Sequence, residues 1–83
     1  MENRIKRLIA VGASIAANCQ PCLQRNVYKA KEDGADDQEI TEAIEIGKVV
    51  RKGAAFKMDN FALSFVPIVH SSNDVSDNNG GCC

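Results

Sequence analysis

The sequence predicts an all-α fold, a small helical bundle completed by oligomerisation. Apolar residues recur at spacings of three and four, the period of an α-helix, and no stretch of any length alternates with the period of a strand. Helix start and stop signals fall at Pro21, at Gly34 and at the Asp36/Glu39 pair. With 83 residues the chain is one domain, and a domain of this size buries only about 60–65% of its unfolded surface. A lone core is then marginal, and a disulfide, a metal or a second copy is the usual remedy.

Between Arg4 and Ala17 a first helix is marked by Ile5, Leu8, Ile9, Gly12, Ile15 and Ala16. Its later half is rich in small residues. Gly12 weakens it by about 1 kcal/mol relative to Ala, so a close approach by another helix is the expected compensation. A second helix is expected from Gln20 to Asp33, burying Leu23, Val27 and Ala30 and stopping at Gly34. Tyr28 reads as an interface or half-buried packing residue on its edge.

Asp36 with Glu39 three residues on forms a capping-box signature and opens a third helix. Ile40, Ala43, Ile44, Gly47, Val50 and Ala54 share one face, with Ile46 and Val49 on an adjoining strip. That apolar surface is wider than one neighbour needs, which predicts contact with another subunit. Phe56, Phe61 and Phe65 then fall within ten residues, extending the helix or folding back on it, with Pro67 as the stop. Aromatic stripes of this kind usually bury for packing. Residues 1–70 therefore read as the helical domain. Residues 71–83 turn to Ser, Asn, Asp and Gly and read as a flexible tail ending in Cys82-Cys83.

Chemistry concentrates at Cys19-Gln20-Pro21-Cys22. Proline is tolerated in a first helical turn and biases the residue before it away from the α region. Cys19 is thus expected at or just before the helix start and Cys22 inside its first turn. Free N–H groups and the positive end of the helix dipole stabilise a thiolate there. Arg25, one turn on, adds positive charge. In dithiol chemistry one sulfur attacks and the other resolves the mixed disulfide, so the spacing suffices for catalysis by Cys19 and Cys22.

This C-x-x-C, followed by Ala30, Gly34-Ala35, Glu39-Ile40 and Glu42-Ala43-Ile44, resembles the carboxymuconolactone decarboxylase superfamily and, more narrowly, its alkylhydroperoxidase D-like branch. The likeness covers roughly Arg4 to Phe61. It implies an all-α fold assembled as trimers, hexamers or larger rings. It also implies thiol-dependent reduction of hydroperoxides or disulfides, with electrons from a dithiol partner and no cofactor. Cys22 would be the attacking sulfur and Cys19 its disulfide partner. The chain departs from the peroxidase pattern in two places. Asn26 stands where peroxidase members usually carry a histidine, and Arg7 stands where their relay glutamate is reached. Asn can hydrogen-bond but cannot shuttle a proton, so Asn26 is an accessory residue and peroxidase activity is expected to be weak. General acid–base assistance typically supplies ~10²–10⁴-fold.

Cys82 and Cys83 have no place in that pattern. Adjacent Cα atoms lie about 3.8 Å apart, too close for an unstrained disulfide, so their natural partners are other thiols or a soft ion. A flexible tail of this length reaches about 20 Å root-mean-square, far enough to return to Cys19 and Cys22. The alternative reading is therefore soft-metal or metalloid binding by Cys19, Cys22, Cys82 and Cys83. A third is an oligomeric module whose cysteines do no chemistry. The sole histidine, His70, adjoins the tail.

Composition excludes other classes. A net charge of −1 with interspersed signs leaves no nucleic-acid footprint, and 5% aromatic residues without Trp leave no base-stacking platform. No run is long and apolar enough to span a membrane. The basic N-terminus passes straight into an amphipathic pattern rather than a signal peptide. The cytoplasm is the expected compartment, where cysteines more often react or bind metal than staple.

Overall fold

The computed structural model describes residues 1–66. The expectations for Pro67, His70, the 71–83 tail, the Cys82-Cys83 pair and a domain boundary at 70 lie outside the described residues. Within them the protein is all-α: α1 (Asn3–Ala16), α2 (Gln20–Glu32) and α3 (Asp37–Leu63).

α1 is the central element. It packs on both other helices, whereas α2 and α3 barely touch. α2 runs antiparallel to α1, since Ser14 meets Asn26 near one end and Arg7 meets Asp33 near the other. α3 runs parallel to α1, since Arg4 pairs with Glu39 at the start and Arg51 reaches Ile15 further along.

Local chemistry sets each reversal. α2 ends in a Schellman motif: Ala35 N–H donates to Ala30 O and Gly34 N–H to Lys31 O, with Gly34 at φ 97°. A residue with a Cβ is strained in that region, which is why glycine suits it. α3 opens with the complete capping box, Asp36 Oδ1 accepting from Glu39 N–H and Glu39 Oε1 from Asp36 N–H. Glu39 also takes Arg4 on its other oxygen, so the cap of α3 is tied to α1.

The core is small. Val11, Ala30, Ala35 and Ile40 are buried, with Leu8, Leu23, Val27, Ala43 and Ile44 packed against them. Among the described residues Val11 is the largest side chain wholly removed from water. Fully burying one such aliphatic residue is worth about 1.5–3 kcal/mol, so this core gives modest stability. The close helix approach expected at Gly12 is present: a Cβ there would stand 3.1 Å from Ala43 O. Gly47 is its counterpart on α3, where a Cβ would collide with Gly12 O and stand 2.8 Å from Ile15 Cβ.

The predicted face of α3 is buried or half-buried at Ile40, Ala43, Ile44 and Gly47 but exposed at Val50 and Ala54. Val50 edges the groove beside the end of α1, and Ala54 lies past that end. α1 stops at Ala16, level with Arg51, and α3 continues another three turns. Phe56 and Phe61 extend α3 rather than folding back, and Phe61 is 61% exposed.

Candidate functional site at the Cys19–Cys22 turn

Three residues connect α1 to α2. α1 ends in its own Schellman motif, with Asn18 N–H donating to Ile15 O and Cys19 N–H to Ser14 O, both at 3.0 Å. Asn18 occupies the left-handed position at φ 56°, a role asparagine fills when glycine is absent. Cys19 therefore has two local duties: it closes the end of α1 and caps the start of α2. Its Sγ accepts from Cys22 N–H at 3.3 Å, and its carbonyl accepts from Leu23 N–H. Cys22 lies in the first helical turn beside Pro21, as the sequence predicts.

Cys19 and Cys22 are joined as a disulfide, with Cα atoms 5.2 Å apart, inside the range that such a bond spans. Cys22 is exposed and Cys19 half-buried, so an incoming group meets Cys22 first. Arg25 is exposed one turn beyond Cys22.

Asn26 points away from acid–base chemistry and into the α1–α2 interface, where its Nδ2 donates to Ser14 Oγ at 3.0 Å. Ser14 is buried and its hydroxyl donates a hydrogen bond to Ala10 O at 2.7 Å. Ser14 thus holds the site twice, by its carbonyl to Cys19 and by its hydroxyl to Asn26. Arg7 is paired with Asp33 at 3.1 Å. The half-buried or interface setting expected for Tyr28 is not found within the chain: it is exposed. The Glu32 carboxylate accepts its hydroxyl and, with Coulombic repulsion of the phenolate, raises its pKa above the ordinary value.

Sequence reasoning missed Ser14, Asn18 and Arg51. Asn18 was legible as a helix-stop residue directly before Cys19. Ser14 gave only a polar residue inside an apolar stripe. Arg51 gave no local signal. It sits 33 residues from Asn18 yet donates to Asn18 Oδ1 at 3.1 Å and to Ile15 O at 3.4 Å.

Among the described residues no three His, Cys, Asp or Glu side chains converge as a metal site, and Cys82 and Cys83 lie outside those residues. No helix among them is long and apolar enough to cross a membrane. An open groove of about 680 Å³ runs between α1 and α3, floored by Leu8, Gly12 and Gly47 and edged by Ile9, Ile46 and Val50. It contains no cysteine.

Comparison with known proteins agrees with this architecture. The carboxymuconolactone decarboxylase family matches residues 2–62. A protein of Paracoccus denitrificans, described as uncharacterized protein 4 in the cox locus, is 36% identical over 64 residues, covering 77% of this chain and 58% of that protein. The chain thus spans little more than half the length of that relative. No solved structure matches. The match runs from before α1 to the last turn of α3 and takes in the whole helical framework around the cysteine pair; the chain belongs to the carboxymuconolactone decarboxylase family.

Proposed function

We propose that this protein is a thiol–disulfide oxidoreductase of the alkylhydroperoxidase D-like type, with Cys19 and Cys22 as its catalytic dithiol. The observation that carries the reading is the placement of Cys19 as the N-cap of α2. Its sulfur already accepts a first-turn N–H, and the same helix end stabilises a thiolate when the pair is reduced.

In the working cycle the Cys22 thiolate attacks one sulfur of a disulfide substrate. A Cys22–substrate bond forms as the substrate's S–S bond breaks, and the other substrate sulfur leaves as a thiolate. Cys19 then attacks Cys22, releasing the second substrate sulfur and forming the Cys19–Cys22 disulfide. The substrate has gained two electrons and two protons, and the pair has lost them. A dithiol donor, protein or small molecule, returns the pair to its reduced state by the reverse exchange. With a hydroperoxide, Cys22 becomes a sulfenic acid with loss of an alcohol, and Cys19 condenses with it, releasing water. Asn26 and Arg7 are engaged with Ser14 and Asp33, so nothing in those positions carries protons and disulfide exchange is the faster reaction.

The protein works as a homo-oligomer, a trimer or hexamer, in the cytoplasm. The apolar half of α3, the turn after it and the α1–α3 groove support assembly: together they leave Ile9, Ile46, Phe56, Phe61 and Phe65 exposed, more apolar surface than a stable monomer usually leaves.

Thiol titration before and after oxidation tests the redox reading. Two thiols should disappear in the wild type, and turnover of a small disulfide should vanish in Cys22→Ser. Four unreactive thiols with bound metal would sink it.

A further inference from the structure

Arg51 belongs to α3, yet its guanidinium docks at the turn that carries the cysteines. It donates to the side chain of Asn18, the residue before Cys19, and to the carbonyl of Ile15 at the end of α1. The first bond holds the left-handed residue whose conformation makes Cys19 the cap of α2. The second places a cation on the negative end of the α1 dipole. Arginine suits the position because its Nη1 donates to both acceptors at once and the guanidinium stays charged at any working pH. A single side chain of α3 thus holds both the end of α1 and the turn that leads into α2. Its charge is held against the residue next to Cys19.

We propose that Arg51 is a positioning residue for the Cys19–Cys22 dithiol, fixing the turn and supplying a positive charge that favours the reduced pair over the disulfide. The inference rests on the dithiol reading given above. Its physical basis is that a disulfide is neutral while the reduced pair carries a thiolate. A fixed cation nearby therefore stabilises only the reduced form and makes the pair more readily reduced. Near the protein surface a single fixed charge of this kind is worth about a three- to tenfold change in the redox equilibrium, with tenfold equivalent to ~30 mV for two electrons.

The test is equilibration of the full-length protein with glutathione redox buffers at pH ~8, where thiolate is populated, with the oxidised fraction read by thiol alkylation. Arg51→Gln retains a donor for Asn18 but loses the charge, and it should become about three- to tenfold harder to reduce. Arg51→Lys retains the charge but not the planar two-acceptor docking, and should fall between Arg51→Gln and the wild type. Circular dichroism checks that each variant is helical. If Arg51→Gln does not fold, Asn18→Gly decides the matter. Glycine accepts the left-handed turn while removing the guanidinium's closer acceptor and leaving it only the Ile15 carbonyl, and the equilibrium should shift in the same direction. An unchanged equilibrium in a folded Arg51→Gln, or in Asn18→Gly where Gln does not fold, overturns the proposal whatever the melting temperature does. Failure of the wild type to equilibrate at all would instead strike the dithiol reading, before any variant is compared.

Discussion

Asn26 on α2 donates to the buried hydroxyl of Ser14 on α1 at 3.0 Å, one turn beyond Cys22 and at the position that resemblance assigns to a histidine in peroxidase members. Ser14 also accepts the Cys19 N–H on its carbonyl. The same residue of α1 thus grips the segment on both sides of Cys22. Replacing Ser14 by Ala leaves the half-buried Asn26 amide without that acceptor. The expected loss is about 1–2 kcal/mol, read as a lower urea midpoint. Asn26→Ala should cost a similar amount, and the double variant less than the sum, because one bond serves both residues.

Disulfide and hydroperoxide substrates should separate in rate. Asn26 and Arg7 are each committed to a structural partner, so hydroperoxide turnover lacks the ~10²–10⁴-fold that a proton carrier supplies. Steady-state assays with a small disulfide and an organic hydroperoxide should show the first proceeding faster, and Cys22→Ser abolishing both. A hydroperoxide rate equal to or above the disulfide rate would contradict this assignment.

Gly47→Ala sets two effects against each other. Alanine is better in a helix by about 1 kcal/mol, but its Cβ would meet the Gly12 carbonyl and the Ile15 side chain. A backbone oxygen cannot swing aside as a side chain can, so crowding wins. The expected outcome is a net loss of about 1–2 kcal/mol and a lower melting temperature.

Glu32 raises the pKa of Tyr28 above its ordinary value by accepting its hydroxyl and by repelling the phenolate. The folded value exceeds the unfolded one, so the linked stabilisation is present below the unfolded pKa of about 10 and fades as pH rises through the folded value. Ultraviolet titration of the phenolate should give a lower midpoint for Glu32→Gln than for the wild type. Coincident curves would remove Glu32 as the cause.

Oligomerisation through the exposed half of α3 should be visible by sedimentation. Phe61 is 61% exposed and packs edge-to-face on Phe65. Phe61→Glu places a charge in the proposed interface and should release smaller species without loss of helix, because no other helix among the described residues covers that part of α3. A wild type that sediments as a monomer would refute the assembly.

What the sequence by itself determined is what depends on short range. Helix period, Pro21 in a first turn, Gly34 at a left-handed stop and Asp36 with Glu39 as a cap all act within a few residues, and each is present. The placement of Cys19 and Cys22 at a helix start follows from the same local rules. Tertiary structure decided what needs two helices at once. Asn26 turned to Ser14 because packing brought the two within hydrogen-bond reach, and Arg51 arrived at Asn18 because α3 runs parallel to α1. The exposure of Phe56 and Phe61 followed from α1 ending before α3 does. Pairing across the chain depends on how helices cross, and no local pattern encodes that.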